Sequence, residues 1–156
     1  MSEIEILLNK AQTSLNLGNP KEALSFYQKV LEQDPKHLTA LLKKGNIFGK
    51  FGRFNDAIIC YDDVILQEKE NVLALLNKGL CHHKIGQYGM AIECFDIVLK
   101  VKYNKASSII KSGKLQEGLA ALSQLIKLDS SYKQQAKCDI DFTDIKLLNE
   151  FKEVTS

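Results

Sequence analysis

A chain of 156 residues, 45% apolar, is long enough for one domain or one short array of repeats and too apolar for wholesale disorder. Its 21 basic and 19 acidic residues leave a formal charge of +2, which gives no general attraction to nucleic acid or to an anionic membrane. No apolar run approaches the ~20 residues that span a bilayer, and the acidic start MSEIEILLNKAQ is not a secretory signal.

The first stretch, 4–37, reads as two helices. Asn19-Pro20 marks the start of the second, as an N-cap followed by proline at the first helical position, and Asp34-Pro35 marks its end. In the next stretch, 38–71, Leu41, Gly45 and Phe48 lie on one helical face at i, i+4 and i+7. Gly52 closes that helix, since glycine accepts the left-handed conformation of a helix end. Ala57, Tyr61, Val64 and Ile65 then mark the apolar face of a second helix. The stretch 72–105 repeats this order with Leu75, Gly79, Gly86, Ala91, Phe95 and Val98.

These positions form columns 34 residues apart. Leu7, Leu41 and Leu75 form one, and Gly18, Gly52 and Gly86 another. Ala23, Ala57 and Ala91 form a third, Tyr27, Tyr61 and Phe95 a fourth, and Val30, Val64 and Val98 a fifth. A column of small residues, Ala11, Gly45 and Gly79, lets neighbouring helices approach closely. Lys10, Lys44 and Lys78 also recur, with stems that can lie on apolar surface beneath hydrated ammonium groups.

A fourth copy is shortened. In GKLQEGLAALSQLIKLD, Gly113, Gly118 and Leu122 match Gly86, Ala91 and Phe95, but Gly113 follows Gly86 by 27 residues instead of 34. The loss is expected in this copy's first helix, leaving a stub at 104–112 that contains ASSIIKS. Residues 130–156 follow no repeat. There Thr143 is an N-cap candidate for a last helix, with Phe142 and Leu147 as its hydrophobic staple and Ile145, Leu148 and Phe151 on one face.

This order of small residue, aromatic, glycine, alanine and aromatic resembles the tetratricopeptide repeat family, most closely in GRFNDAIICYDDVI and GQYGMAIECFDIVL. The resemblance implies an all-α fold, a right-handed superhelical solenoid of antiparallel helix pairs with a C-terminal capping helix and no strand. Seven helices are expected over 4–101 and 114–128, the stub counted among them, then one or two capping helices. The array is expected over 4–129, with repeats at 4–37, 38–71 and 72–105 and a truncated fourth at 106–131. The capping segment is expected over 132–156.

The resemblance also implies a binding role, because first helices of successive repeats line a concave groove in this family. The face opposite Leu41, Gly45 and Phe48 carries Leu42, Asn46 and Lys50, with Lys43 at its margin. The first repeat contributes Leu8 and Gln12 to that face, and the third contributes Leu76, Leu80 and Lys84, with Asn77 at its margin. Amide groups there suit an extended backbone, and the lysines favour acidic partners. The expected partner is a protein or peptide with apolar and acidic residues. The subfamily that grips chaperone tails through a two-carboxylate clamp is not expected to be a guide. Its clamp positions correspond to Leu8, Gln12, Lys43, Leu73 and Asn77, none of which keeps the clamp identity.

No catalytic motif is present, so the chain reads as a non-enzymatic scaffold or adaptor without a cofactor. Cys81, His82 and His83 lack zinc-ligand spacing, and Cys60 and Cys94 read as small buried apolar residues. With no CxxC pair, reduced thiols and a cytoplasmic location are the simplest expectation. Self-assembly, for instance as a homodimer, is the alternative. Nucleic-acid association is weaker still, since few aromatic residues are free to stack on bases.

Overall fold

A computed structural model describes residues 1–156. The chain is entirely helical, without a strand, and forms two compact units, Met1–Asp96 and Ile97–Ser156. In the first unit, α1 (Glu3–Asn16) pairs with α2 (Pro20–Gln33), and α3 (Leu38–Lys50) pairs with α4 (Phe54–Gln67). Helix α5 (Val72–Lys84) lies on α4 and is followed by the start of α6 (Tyr88–Lys111).

The hairpin turns share one geometry. Gly18, Gly52, Gly86 and Gly113 all have φ between 73° and 89°. In the second turn the Arg53 N–H donates to the Phe48 carbonyl and the Gly52 N–H to the Gly49 carbonyl, which is the Schellman closure. The equivalent bonds recur after α1, after α5 and at the end of α6. Helix starts are less uniform. Ser2 and Glu5 form a capping box on α1, and the side chains of His37 and Asn71 accept from backbone N–H groups at the starts of α3 and α5. The Asn19 side chain makes no capping bond, so only Pro20 carries out the role expected of that pair.

The repeated columns are the core. Leu7, Ala11, Ala23, Tyr27 and Val30 cluster in the first repeat, joined by Ala40 and Ile47 from α3. Leu41, Phe48, Ala57, Tyr61 and Val64 cluster in the second, joined by Ala74 and Cys81 from α5. Each first helix thus packs onto the repeat before it. The lysine column reinforces this: Lys44 donates to Gln28 on α2 at 2.8 Å, and Lys78 pairs with Asp62 on α4 at 2.6 Å. Those lysines are therefore braces between repeats as well as apolar stems.

The fourth copy departs from the expected stub. By register, α4 recurs at 88–101, and α5, with the step shortened to 27, recurs at 99–111. The two ranges overlap, so no residues remain to make a turn. They fuse into the single 24-residue helix α6. The missing residues removed the connection between two helices and left the first helix of the fourth copy at full length.

In the second unit, the end of α6 packs with α7 (Leu115–Leu128), α8 (Ser131–Cys138) and α9 (Asn149–Thr155). Gly118 of α7 sits against α6. A Cβ there would come within 2.3 Å of Ile110 Cγ1, 2.9 Å of the Ile110 backbone nitrogen and 3.1 Å of the Ala106 carbonyl oxygen. A backbone neighbour cannot swing aside as a side chain can. Gly118→Ala should therefore lower the melting temperature by an amount equivalent to roughly 1–3 kcal/mol. A melting temperature raised by the better helix former would show that the two helices are free to separate.

The tail is anchored differently from the expected staple. No helix begins at Thr143, whose hydroxyl instead donates to the Ile140 carbonyl. Asp139 caps a short 3-10 turn, Ile140–Phe142, by accepting from the Asp141 N–H, and this turn drives Phe142 into the core beside Tyr103 and Phe151. Leu147 is 83% exposed and staples nothing. A polar clasp borders the same turn: Tyr103 donates to Asp139 at 2.6 Å, and Ser107 and Lys111 both donate to Asp141. The Lys111 ammonium, with the Ser107 hydroxyl, holds the Asp141 carboxyl below its usual range.

Candidate functional site

The first unit carries a groove of about 440 Å³ built on its first helices. Leu15 of α1, Ile47 of α3, Phe54 of α4 and Leu80 of α5 supply apolar lining. Lys43, Lys50 and Lys84 supply charge, and no carboxylate lines the groove. None of these lysines lies within ion-pair distance of an acidic residue. A smaller recess of about 150 Å³ shares Lys43, Asn46 and Asn77 with the groove and adds Thr39, Leu42 and Leu73.

The two asparagines common to both cavities are already joined. Asn46 Oδ1 accepts from Tyr61 OH at 2.7 Å and from Asn77 Nδ2 at 3.0 Å. Tyr61 is buried, with its ring against Gly45, so its hydroxyl fixes the Asn46 amide in one orientation. The acceptor of Asn46 is spent inside the protein. Its NH₂ group and the carbonyl oxygen of Asn77 make no hydrogen bond within the protein.

Six of the expected groove residues, Lys43, Asn46, Lys50, Asn77, Leu80 and Lys84, line the larger cavity together, and Leu42 lines only the smaller recess. Leu8, Gln12 and Leu76 line neither. Leu8 is half-buried against the first repeat's core, and Gln12 donates to Asn16 on its own helix at 2.9 Å. Helical spacing alone did not single out Ile47, Phe54 and Tyr61 as lining. The available signal was Phe54, an aromatic residue at the first position of a helix where the first repeat has Pro20.

Three cysteines and one histidine are packed in the interior. Cys60, Cys81 and Cys94 are buried and unpaired, and burial pushes the Cys60 thiol up to about 11. His82 is buried and its Nδ1 lies 2.6 Å from Gln87 Oε1, whereas His83 is exposed with its ring edge against Tyr88. No helix is long and apolar enough to cross a membrane.

A tetratricopeptide repeat family model matches residues 14–79, and a second matches residues 72–102. No curated protein matches the chain. Among solved structures, a double mutant of MamA RS-1 is similar with 21% identity and a TM-score of 0.61, over 99% of this chain and 96% of that one. MamA from residue 41 to its end, from Desulfovibrio magneticus RS-1, aligns with 20% identity and a TM-score of 0.61, over 99% of this chain and 90% of that one. A tetratricopeptide repeat protein from Parabacteroides merdae ATCC 43184 aligns with 13% identity and a TM-score of 0.60, over 97% of this chain and 63% of that one. These likenesses concern the fold.

Proposed function

Because the chain belongs to the tetratricopeptide repeat family, we propose that it is a non-enzymatic scaffold that holds an acidic, apolar-bearing segment of a partner protein in the groove between its first helices. One observation carries this reading. Three lysines without carboxylate partners surround an apolar cavity of about 440 Å³. A like-charged cluster without internal compensation attracts an external anion, and its apolar lining gives neighbouring side chains a place to leave water. The Asn46 NH₂ group and the Asn77 carbonyl are placed to meet an extended backbone. Leu42 extends the site into the smaller recess. The unpaired, buried thiols fit a reducing compartment, and we place the protein in the cytoplasm.

The test is selection from a random peptide library displayed on phage, against the wild-type chain and against Lys43→Glu with Lys84→Glu. Peptides enriched by the wild type should combine Asp, Glu or a free C-terminus with large apolar residues, and the charge-reversed chain should lose them. Removing the asparagines is a poorer probe, since Asn46→Ala strips the buried Tyr61 hydroxyl of its acceptor and destabilises the repeat. Enrichment that ignores acidic residues, or that survives the charge reversal, would move the site elsewhere.

A further inference from the structure

The stacking that builds the first unit leaves two matching faces unused. On α3 and α5, the residues that pack onto the preceding repeat are Ala40 and Ile47, then Ala74 and Cys81, all buried. Their counterparts on α1 are Ile6 and Thr13. Ile6 is 41% exposed, Thr13 is exposed, and both line a shallow groove with Met1, Leu17 and Phe26 that Lys10 and Glu22 also line. Lys10 stands in the column of Lys44 and Lys78, yet has no carboxylate or amide partner and lies 6.0 Å above the Phe26 ring.

The opposite face is on α6. In the first two repeats, second-helix residues Leu24 and Ile58 are half-buried, and Tyr27 and Tyr61 are buried. The equivalents in the third repeat are Ile92, 58% exposed, and Phe95, only half-buried. The fused helix accounts for this. Residues 99–111, which by register form the next first helix, continue along α6, and no turn exists on which they could fold back. Asp96, the counterpart of Gln28 and Asp62, is exposed and unpaired.

We propose that these two faces bind each other between copies of this chain, α1 of one copy stacking on α6 of the next in the same register that stacks α3 on α2 and α5 on α4. Lys10 of one copy then meets Asp96 of another, as Lys78 meets Asp62 and Lys44 meets Gln28 within one chain. Ile6 and Thr13 cover Ile92 and Phe95. The charges are complementary, and both faces carry apolar residues that the same register buries elsewhere. Because the two faces differ, the contact is head to tail. Each added copy leaves one free face of each kind, and growth stops only if the rotation closes a ring. This association uses none of the groove lysines and stands apart from peptide binding.

Sedimentation equilibrium over a concentration series tests it. The wild type should show a mass that rises with concentration beyond that of a dimer. Lys10→Glu alone and Asp96→Lys alone each place like charges opposite one another and should weaken association roughly tenfold or more. The chain carrying both changes restores an opposite pair between copies and should recover the wild-type association. Both residues are exposed, so all three variants should keep the wild-type helical circular dichroism and melting temperature. A wild type that stays monomeric overturns the proposal. So does association that both single changes leave intact, or a double variant no better than the singles.

Discussion

Tyr61→Ala should destabilise the protein by about 3–5 kcal/mol, the cost of truncating a fully buried aromatic residue. The ring is 2% exposed in the second repeat's cluster and rests on Gly45, where a Cβ would come within 2.8 Å of it. Its hydroxyl also donates to Asn46, so the same substitution removes one of the two bonds that hold the amide bordering the groove. Tyr61→Phe keeps the packing and removes only that bond, for about 1 kcal/mol. The sharper readout is a double-mutant cycle with Gly45→Ala. On the wild-type background the added methyl collides with a pinned ring and should destabilise. On the Tyr61→Ala background only the Cys60 Cβ stays close, at 3.2 Å, and the methyl replaces a helical glycine, so the change should be far less costly and at best stabilise by about 1 kcal/mol. Chemical denaturation of the four proteins gives the coupling, and simple additivity would mean that the ring does not rest on Gly45. In the third repeat a Cβ on Gly79 would come within 2.6 Å of Phe95, but that ring is only half-buried and has no hydroxyl to pin it, so Gly79→Ala should cost less than Gly45→Ala.

The repeat architecture was legible because the packing is periodic. Residues such as Ala57 and Tyr61 meet the same neighbours in each copy and keep the same size, so columns of size reveal the contacts. The fusion of α6 was legible in part. The shortened step from Gly86 to Gly113 showed that residues were missing, but assigning the loss required laying one helix's range over the next. That overlap, 88–101 against 99–111, leaves no turn.

The site was harder to read, because helical spacing gives a residue's direction and not what it meets. Leu8 and Leu42 occupy equivalent positions, yet Leu8 lines neither cavity and Leu42 lines the smaller one. Asn46 looked free in sequence. Its acceptor is claimed by Tyr61, 15 residues later, and by Asn77, 31 residues later. Such a bond depends on the distance between two helices, which no periodicity reports.

Phe142→Ala should cost a similar amount, about 3–5 kcal/mol, and act on the second unit. The stretch from Asp139 to Leu148 contains only a 3-10 turn and further turns, so little regular backbone hydrogen bonding holds it in place. What fixes it is one aromatic side chain, fully buried, with its ring centroid 6.1 Å from that of Tyr103 and 5.6 Å from that of Phe151. Removing the ring leaves a cavity in the cluster that holds Leu122, Leu125 and Ala136. The Tyr103–Asp139 and Lys111–Asp141 bonds then hold the segment from one side only, through groups that water can replace. Amide hydrogen exchange followed by mass spectrometry should show protection lost over residues 115–156 before it is lost over 3–67. Leu147 provides the control. It is 83% exposed, so Leu147→Ala should stay within about 0.5 kcal/mol of the wild type. Equal losses from Phe142→Ala and Leu147→Ala would mean that the tail folds as a stapled helix starting at Thr143, and that the anchored 3-10 turn is wrong.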